Sequence, residues 1–234
     1  MNTNSNTYTF LYASVMVLIV AAVLSFTALQ LKPRQNKNKE IEKKQAILKA
    51  VGVASTFADA EKLYDQYIVE AKIVNAAGAL ISEDKEEAFG VDLKKENKID
   101  LTDRKLPVFI FQNEAVGKKM ILPVRGKGMW GPIWGYISME LDGNTIYGAT
   151  FDHQGETPGL GAEISKPEFQ KQFASKQLFD QSGKFIPLAL VKGTASGHLH
   201  EFDAVSGGTV TSKGLEEMLL KSLGSYEKFL KSSK

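Results

Sequence analysis

From Phe10 to Leu29 the chain runs for twenty residues of Leu, Val, Ala, Phe and Met with a few small hydroxyls, and its first charged side chain is Lys32. At about 1.5 Å per residue, a helix of that length matches the roughly 30 Å hydrocarbon core of a bilayer. Tyr8 and Tyr12 stand where aromatic side chains anchor at the membrane interface. A cleaved signal peptide needs a basic n-region, and Met1 to Thr7 has no lysine or arginine. The apolar run is also longer than a signal core, and no small-x-small cleavage site follows it. The pattern predicts a short tail at 1–9, a retained transmembrane anchor at 10–31 and a large domain beyond it. Lys32, Arg34, Lys37, Lys39, Lys43 and Lys44 follow the span against Glu40 and Glu42. By the positive-inside rule this excess puts the large domain in the cytoplasm.

Residues 32–39, with Pro33, read as a polar linker, and the domain occupies 40–234. Its first part, about 40–105, reads as helical. Ile41, Ile47, Leu48 and Val51 predict a helix ending near Gly52. Phe57, Ala60, Leu63, Tyr64, Tyr67 and Ile68 predict a second one after Ser55 or Thr56. Residues 83–105 are rich in Lys, Glu and Asp and read as a solvated insertion. From 106 the period changes. Leu106 to Gln112, Lys119 to Val124, Ile133 to Glu140 and Thr145 to Asp152 are short β-rich runs between turns such as Asp142-Gly143-Asn144. Ser165 to Ser175 reads as a short helix, and Lys184 to Lys192 and Leu199 to Val205 as strands. Leu215, Leu219, Leu223, Tyr226 and Leu230 mark a terminal helix. The fold class is α+β: one N-terminal transmembrane helix, then an antiparallel sheet flanked by helices.

Composition removes several functions. A net charge of +2 without a basic stripe gives no support for nucleic acid. The absence of cysteine excludes disulfides, thiolate metal sites, iron–sulfur clusters and a cysteine nucleophile. Neither Ser206 nor Ser212 lies in a nucleophile elbow, so no hydrolase triad and no catalytic residue is assigned. His153 and Glu156 suit an acid–base or ligand pair, but no third ligand is near, so no metal is expected. His198 and His200 read as edge histidines.

Three glycine-bearing segments stand out. Arg125 to Tyr136 alternates four glycines with the only two tryptophans, Trp130 and Trp134. Glycine permits close approach of something flat, and indole offers a stacking face, although a hairpin with core tryptophans has the same composition. Phe151 to Ala162 contains His153, Glu156 and the fixed loop Thr157-Pro158-Gly159-Leu160-Gly161. Asp203 to Ser212 reads Asp-Ala-Val-Ser-Gly-Gly-Thr-Val-Thr-Ser. Gly207 and Gly208 remove Cβ atoms that would block a phosphate, and the loop's N–H groups suit an anion nest. Ser212 is expected to cap a helix starting near Lys213, a favourable place for a phosphate. Taken alone, the segment also reads as a Gly-Gly turn before a capped helix.

Together and in this order the segments resemble the FMN-binding domain family, in particular the C subunits of sodium-translocating NADH:quinone reductases and the related G subunits of Rnf-type complexes. The family's flavin-attachment pattern falls on Asp203, Ser206, Gly207, Gly208 and Thr209, with Gly208 where alanine is usual. Its Thr-Pro-Gly-Leu-Gly loop falls on Thr157 to Gly161, preceded by His153 and Glu156. The strip at Gly126 to Trp130 favours the C type over the Rnf counterpart. The likeness covers most of the chain in layout and is specific in 125–164 and 203–212.

The resemblance implies FMN esterified through its phosphate to Thr209, with Asp203, Ser206, Gly207 and Gly208 around the attachment. It implies Met129, Trp130, Glu156, Thr157, Gly159 and Leu160 near the ring. It further implies an electron relay from NADH towards quinone, coupled to sodium export, within a multi-subunit inner-membrane complex. A flavin transferase serves maturation, and membrane lipid surrounds the anchor. The family's domain lies outside the membrane, against the charge rule, and we adopt that placement. The alternatives are an Rnf-like G subunit, or an anchored module that holds flavin non-covalently without a redox role.

Overall fold

The structure is a computed structural model that describes residues 5–233. Helix α1 runs Asn6–Lys49. Among the described residues it is the one helix long and apolar enough to cross a membrane. Of the tail expected at 1–9, residues 1–4 lie outside the described residues, and helix already begins at Asn6. The linker expected at 32–39 is helical too, and the helix expected from Glu40 is its continuation. Pro33 removes one backbone donor, but the Lys, Gln, Glu and Ala residues that follow are good helix formers and carry the helix on. The chain divides at Lys43/Lys44, and residues after that point form one compact unit.

In that unit α2 (Ala60–Tyr67) leads directly into β1 (Ile68–Val74), followed by β2 (Leu80–Ser82). Two short helices, α3 (Lys85–Gly90) and α4 (Leu93–Glu96), occupy the charged segment expected to be solvated. Asp84 starts α3 by accepting the N–H groups of Glu86 and Glu87. Then come β3 (Leu106–Asn113), β4 (Gly117–Lys127), β5 (Pro132–Met139) and β6 (Ile146–His153). After α5 (Pro167–Gln170), β7 (Ala189–Val191) pairs in parallel with β8 (Glu201–Asp203). Helices α6 (Thr209–Ser225) and α7 (Glu227–Ser232) end the fold.

The main sheet is antiparallel in the order β2-β1-β3-β4-β5-β6. Its central strand β3 is apolar on both faces because both are covered. Val108 and Ile110 face Leu215, Leu219 and the rest of the α6 side. Phe109 and Phe111 face Ile47, Leu48 and Tyr64 on the other. Each such side chain contributes about 1.5–3 kcal/mol by leaving water. Tyr226, behind α6, donates its hydroxyl to the Pro107 carbonyl at 2.8 Å, and burial raises its pKa so that the donor keeps its proton.

Four further sequence expectations change. The region 40–105 is not only helical: Ile68, placed on a helical stripe, opens β1, and β2 follows. The helix expected over 165–175 is a single α-turn flanked by 3-10 turns at Gly161–Ser165 and Lys171–Phe173. The strands expected at 184–192 and 199–205 shrink to three residues each. The terminal helix begins at Thr209, four residues before Lys213, and its N-cap is Gly208. Ser212 is no cap. It sits inside the first turn, donates to the Gly208 carbonyl at 2.9 Å and accepts the Val205 N–H at 3.0 Å.

Candidate functional site

Because α6 starts at Thr209, that residue occupies its first helical position. Helix geometry leaves the N–H groups of Thr209, Val210 and Thr211 without an intrahelical acceptor. No side chain of Gly208 exists to cap them. They form the positive end of the helix. The hydroxyls around this end differ in access. Thr209 and Ser206 are exposed, whereas Thr211 is 2% exposed and Ser212 fully buried. Gly207 has φ +73°, a conformation that favours glycine, and its missing side chain leaves room for Leu160. A Cβ on Gly208 would stand 3.0 Å from Val205 Cγ1 and 3.3 Å from the Gly161 nitrogen. Glycine at 208 therefore lets this loop pack closely against Val205 and Gly161.

Asp203 is half-buried at the end of β8. One of its carboxylate oxygens accepts the Ala195 N–H at 3.1 Å, and its own N–H donates to Gln172 at 2.6 Å. A cleft of 580 Å³ runs from Asp203–Ser206 to Gly159, Glu163 and Lys166. Residues 157–161 thus flank the loop 203–209. The Thr157 carbonyl accepts the N–H groups of Leu160 and Ala162, Gly159 takes φ +75°, and its N–H donates to Glu163 at 3.0 Å. The turn leaves Leu160 exposed.

Glu156 is 4% exposed and joins all three segments. One carboxylate oxygen accepts the Trp130 N–H at 2.9 Å, and the other accepts the Thr211 hydroxyl at 2.5 Å. His153 takes no part through the carboxylate. Its Nδ1 accepts the Glu156 N–H at 3.2 Å, so these two residues, whose types suit an acid–base or ligand pair, make a loop-closing contact. Among the described residues no cluster of three His, Cys, Asp or Glu side chains suits a metal.

The glycine–tryptophan strip is the turn between β4 and β5, closed by the Gly128 N–H on the Gly131 carbonyl at 2.8 Å. Met129 and Trp130 project from it, 53% and 67% exposed. Trp134 lies within β5 opposite Arg125, whose guanidinium stands 5.9 Å from its ring centre. The two tryptophans therefore share no face, since only Trp134 is in a strand. The strip's glycines also face protein rather than open space. Gly126 backs onto Met218, Gly128 onto Glu156, and Gly135 onto the Thr150 carbonyl. Beyond the strip, between α4 and α6, lies a groove of 1110 Å³ with six cations, Lys94, Lys98, Arg104, Arg125, Lys127 and Lys221, and one carboxylate, Glu217.

The structure thus brings together Trp130, Glu156, Leu160 and the loop 203–209. Thr211 and Gln172, which help to hold this arrangement, were not singled out in the sequence. Thr211 had a signal, a second hydroxyl two residues after Thr209. Gln172 had none.

Residues 128–224, which contain most of the strip, the 156–161 loop and the loop 203–209, match the FMN-binding domain family. The C subunit of the Na(+)-translocating NADH-quinone reductase of Haemophilus ducreyi is 32% identical over 229 residues, covering 92% of this chain and 88% of the relative. Its counterpart in Neisseria meningitidis serogroup B is 34% identical over 214 residues, with 85% and 82% covered. The crystal structure of the same reductase's C subunit from Parabacteroides distasonis shares 44% identity with a TM-score of 0.77, covering 86% of this chain and 96% of that one. Shewanella oneidensis NqrC shares 26% with a TM-score of 0.69, covering 83% and 98%. At this identity and over this share of both sequences, the chain belongs to the family of C subunits of the Na(+)-translocating NADH-quinone reductases.

Proposed function

We propose that this chain carries FMN covalently, through a phosphodiester to the Thr209 hydroxyl, and relays electrons inside a sodium-translocating NADH:quinone reductase. One observation carries the reading. Thr209 is exposed at an uncapped helix N-terminus, directly after two glycines that pack on Leu160 and Gly161 of the 157–161 loop. The residues present fit a phosphorylated flavin. The free N–H groups of the first turn suit its phosphate, and Gly207 and Gly208 let the loop pack against Leu160 and Val205 just before that turn. Met129, Trp130, Leu160 and Val210 present exposed apolar surface of the kind a ring would cover. When bound, the flavin supplies the redox chemistry, while NADH oxidation and quinone reduction belong to other subunits. The chain's own residues fix the tether, exclude water from one side of the ring and hold its position. A flavin transferase makes the ester.

We further propose that α1 anchors the domain in the inner membrane, surrounded by lipid, with the domain on the outer side. The lysines after the apolar run oppose that orientation. Partner subunits and the size of the domain outweigh a local charge bias. Protease added to spheroplasts should digest the domain, whereas full protection would restore the cytoplasmic placement. The covalent reading is tested on a denaturing gel under ultraviolet light, after expression with a flavin transferase. A fluorescent band at the size of this chain is expected. Colour lost on denaturation would instead mean a non-covalent flavin.

A further inference from the structure

We propose that Glu156 is a positioning residue, a buried latch that holds the Trp130 peptide and the first turn of α6 at one fixed separation. The inference rests on the flavin reading above for its consequence, but the latch itself is a property of the protein. Both carboxylate oxygens are already engaged, one by the Trp130 N–H at 2.9 Å and one by the Thr211 hydroxyl at 2.5 Å. At 4% exposure the group has little surface left to offer a ligand. It acts through what it holds.

Two motif glycines make room for it. A Cβ on Gly128 would stand 2.5 Å from one Glu156 oxygen, and a Cβ on Gly161 would collide with the other. Contacts that close are not found for real Cβ atoms, so the carboxylate fills a slot between two glycine backbones that come from different loops. Its base is fixed too. The Glu156 N–H donates to His153 at 3.2 Å, and His153 ends β6 opposite Ile133 of β5. The latch therefore ties the turn and the helix to the sheet. The charge suits the place, because a carboxylate beside a helix N-terminus is favoured by the helix dipole. Removing it leaves a peptide N–H and a hydroxyl without acceptors, which frees the turn or admits water.

The consequence is geometric. Thr211 is two residues from Thr209 in the same helical turn, and Trp130 carries the exposed indole. Whatever separates those two anchors sets how a ring tethered at Thr209 meets the indole.

The test has one arm without flavin and one with it. In a Thr209→Ala, Trp134→Phe protein, Trp130 is the only tryptophan and no ester can form at position 209. Adding Glu156→Ala should lower the fluorescence anisotropy of Trp130 and raise its quenching by acrylamide. Glu156→Gln, which keeps an acceptor and the side-chain volume, should restore most of both. In flavin-loaded protein, with loading checked by intact mass, Glu156→Ala should brighten the flavin. Trp130→Ala should then add little further brightening, because both variants remove the same contact. Thr211→Val deletes one bond at nearly constant volume, and should give a smaller change of the same sign if Glu156→Ala does not fold. Unchanged Trp130 anisotropy and quenching in folded Glu156→Ala, or in folded Thr211→Val, overturns the latch. So does full additivity with Trp130→Ala. Absence of flavin from wild type would instead remove the proposed function and leave the flavin-free arm to decide the latch.

Discussion

The glycines of the β4–β5 strip and those of the two loops beside Thr209 look alike in sequence and share their task only in part. In the strip the space of a missing side chain is filled by the protein itself, by Met218 at Gly126, by Glu156 at Gly128 and by the Thr150 carbonyl at Gly135. In the loops Gly161, Gly207 and Gly208 are likewise backed by Glu156, Leu160 and Val205, but Gly155 and Gly159 face nothing within 4 Å, and Gly159 and Gly207 also take a positive φ. Glycine density thus marks close approach without saying of what. Only the loops leave room that the chain does not use.

The contrast breaks most severely where backbone opposes backbone. Gly135→Ala would drive a methyl into the Thr150 carbonyl, and Gly214→Ala into that of Lys127. Neither oxygen can move without distorting a strand, so each variant should lose about 3 kcal/mol or more in urea denaturation. A loss below about 1 kcal/mol would show that the strip yields easily and erase the distinction. Gly207→Ala should cost less, about 1–2 kcal/mol, since only a left-handed conformation and a mobile Leu160 side chain oppose it. Trp130→Ala removes an exposed side chain, so stability should shift by no more than about 0.5 kcal/mol. Its effect belongs in the ligand: flavin fluorescence should rise while loading stays complete, and unchanged fluorescence would show that the indole does not meet the flavin. Gly155→Ala, facing open space, should be neutral within about 0.5 kcal/mol and should load flavin normally.

What the sequence disclosed follows the same division between local and distant contacts. Strands β3 to β6 were legible because apolar runs between glycine turns have only one good partner pattern, and the hairpins join neighbours in sequence. Strand β1 was hidden by Ile68, whose spacing from Tyr64 fits a helix as well as it starts a strand. The start of α6 was misplaced because Ser212 is a good cap by type, yet its hydroxyl is spent on Gly208 and Val205 inside the turn. Glu156 was found by its motif, but not its task. Trp130 lies 26 residues before it and Thr211 lies 55 after it, and no local pattern announces such a pairing. Likewise residues 32–39 after the apolar run were read as a linker and are helix, since Pro33 alone does not outweigh the helix formers that follow it.

One hydroxyl decides the flavin assignment. Thr209 and Thr211 share a turn of α6, but the first faces solvent and the second is bonded to Glu156 in the interior. Intact-mass spectrometry of wild type, Thr209→Ala and Thr211→Val, each made alongside a competent flavin transferase, separates them directly. Wild type and Thr211→Val are expected to carry the mass of one esterified FMN, and Thr209→Ala none. An unmodified wild type, or flavin retained in Thr209→Ala, would contradict attachment at Thr209.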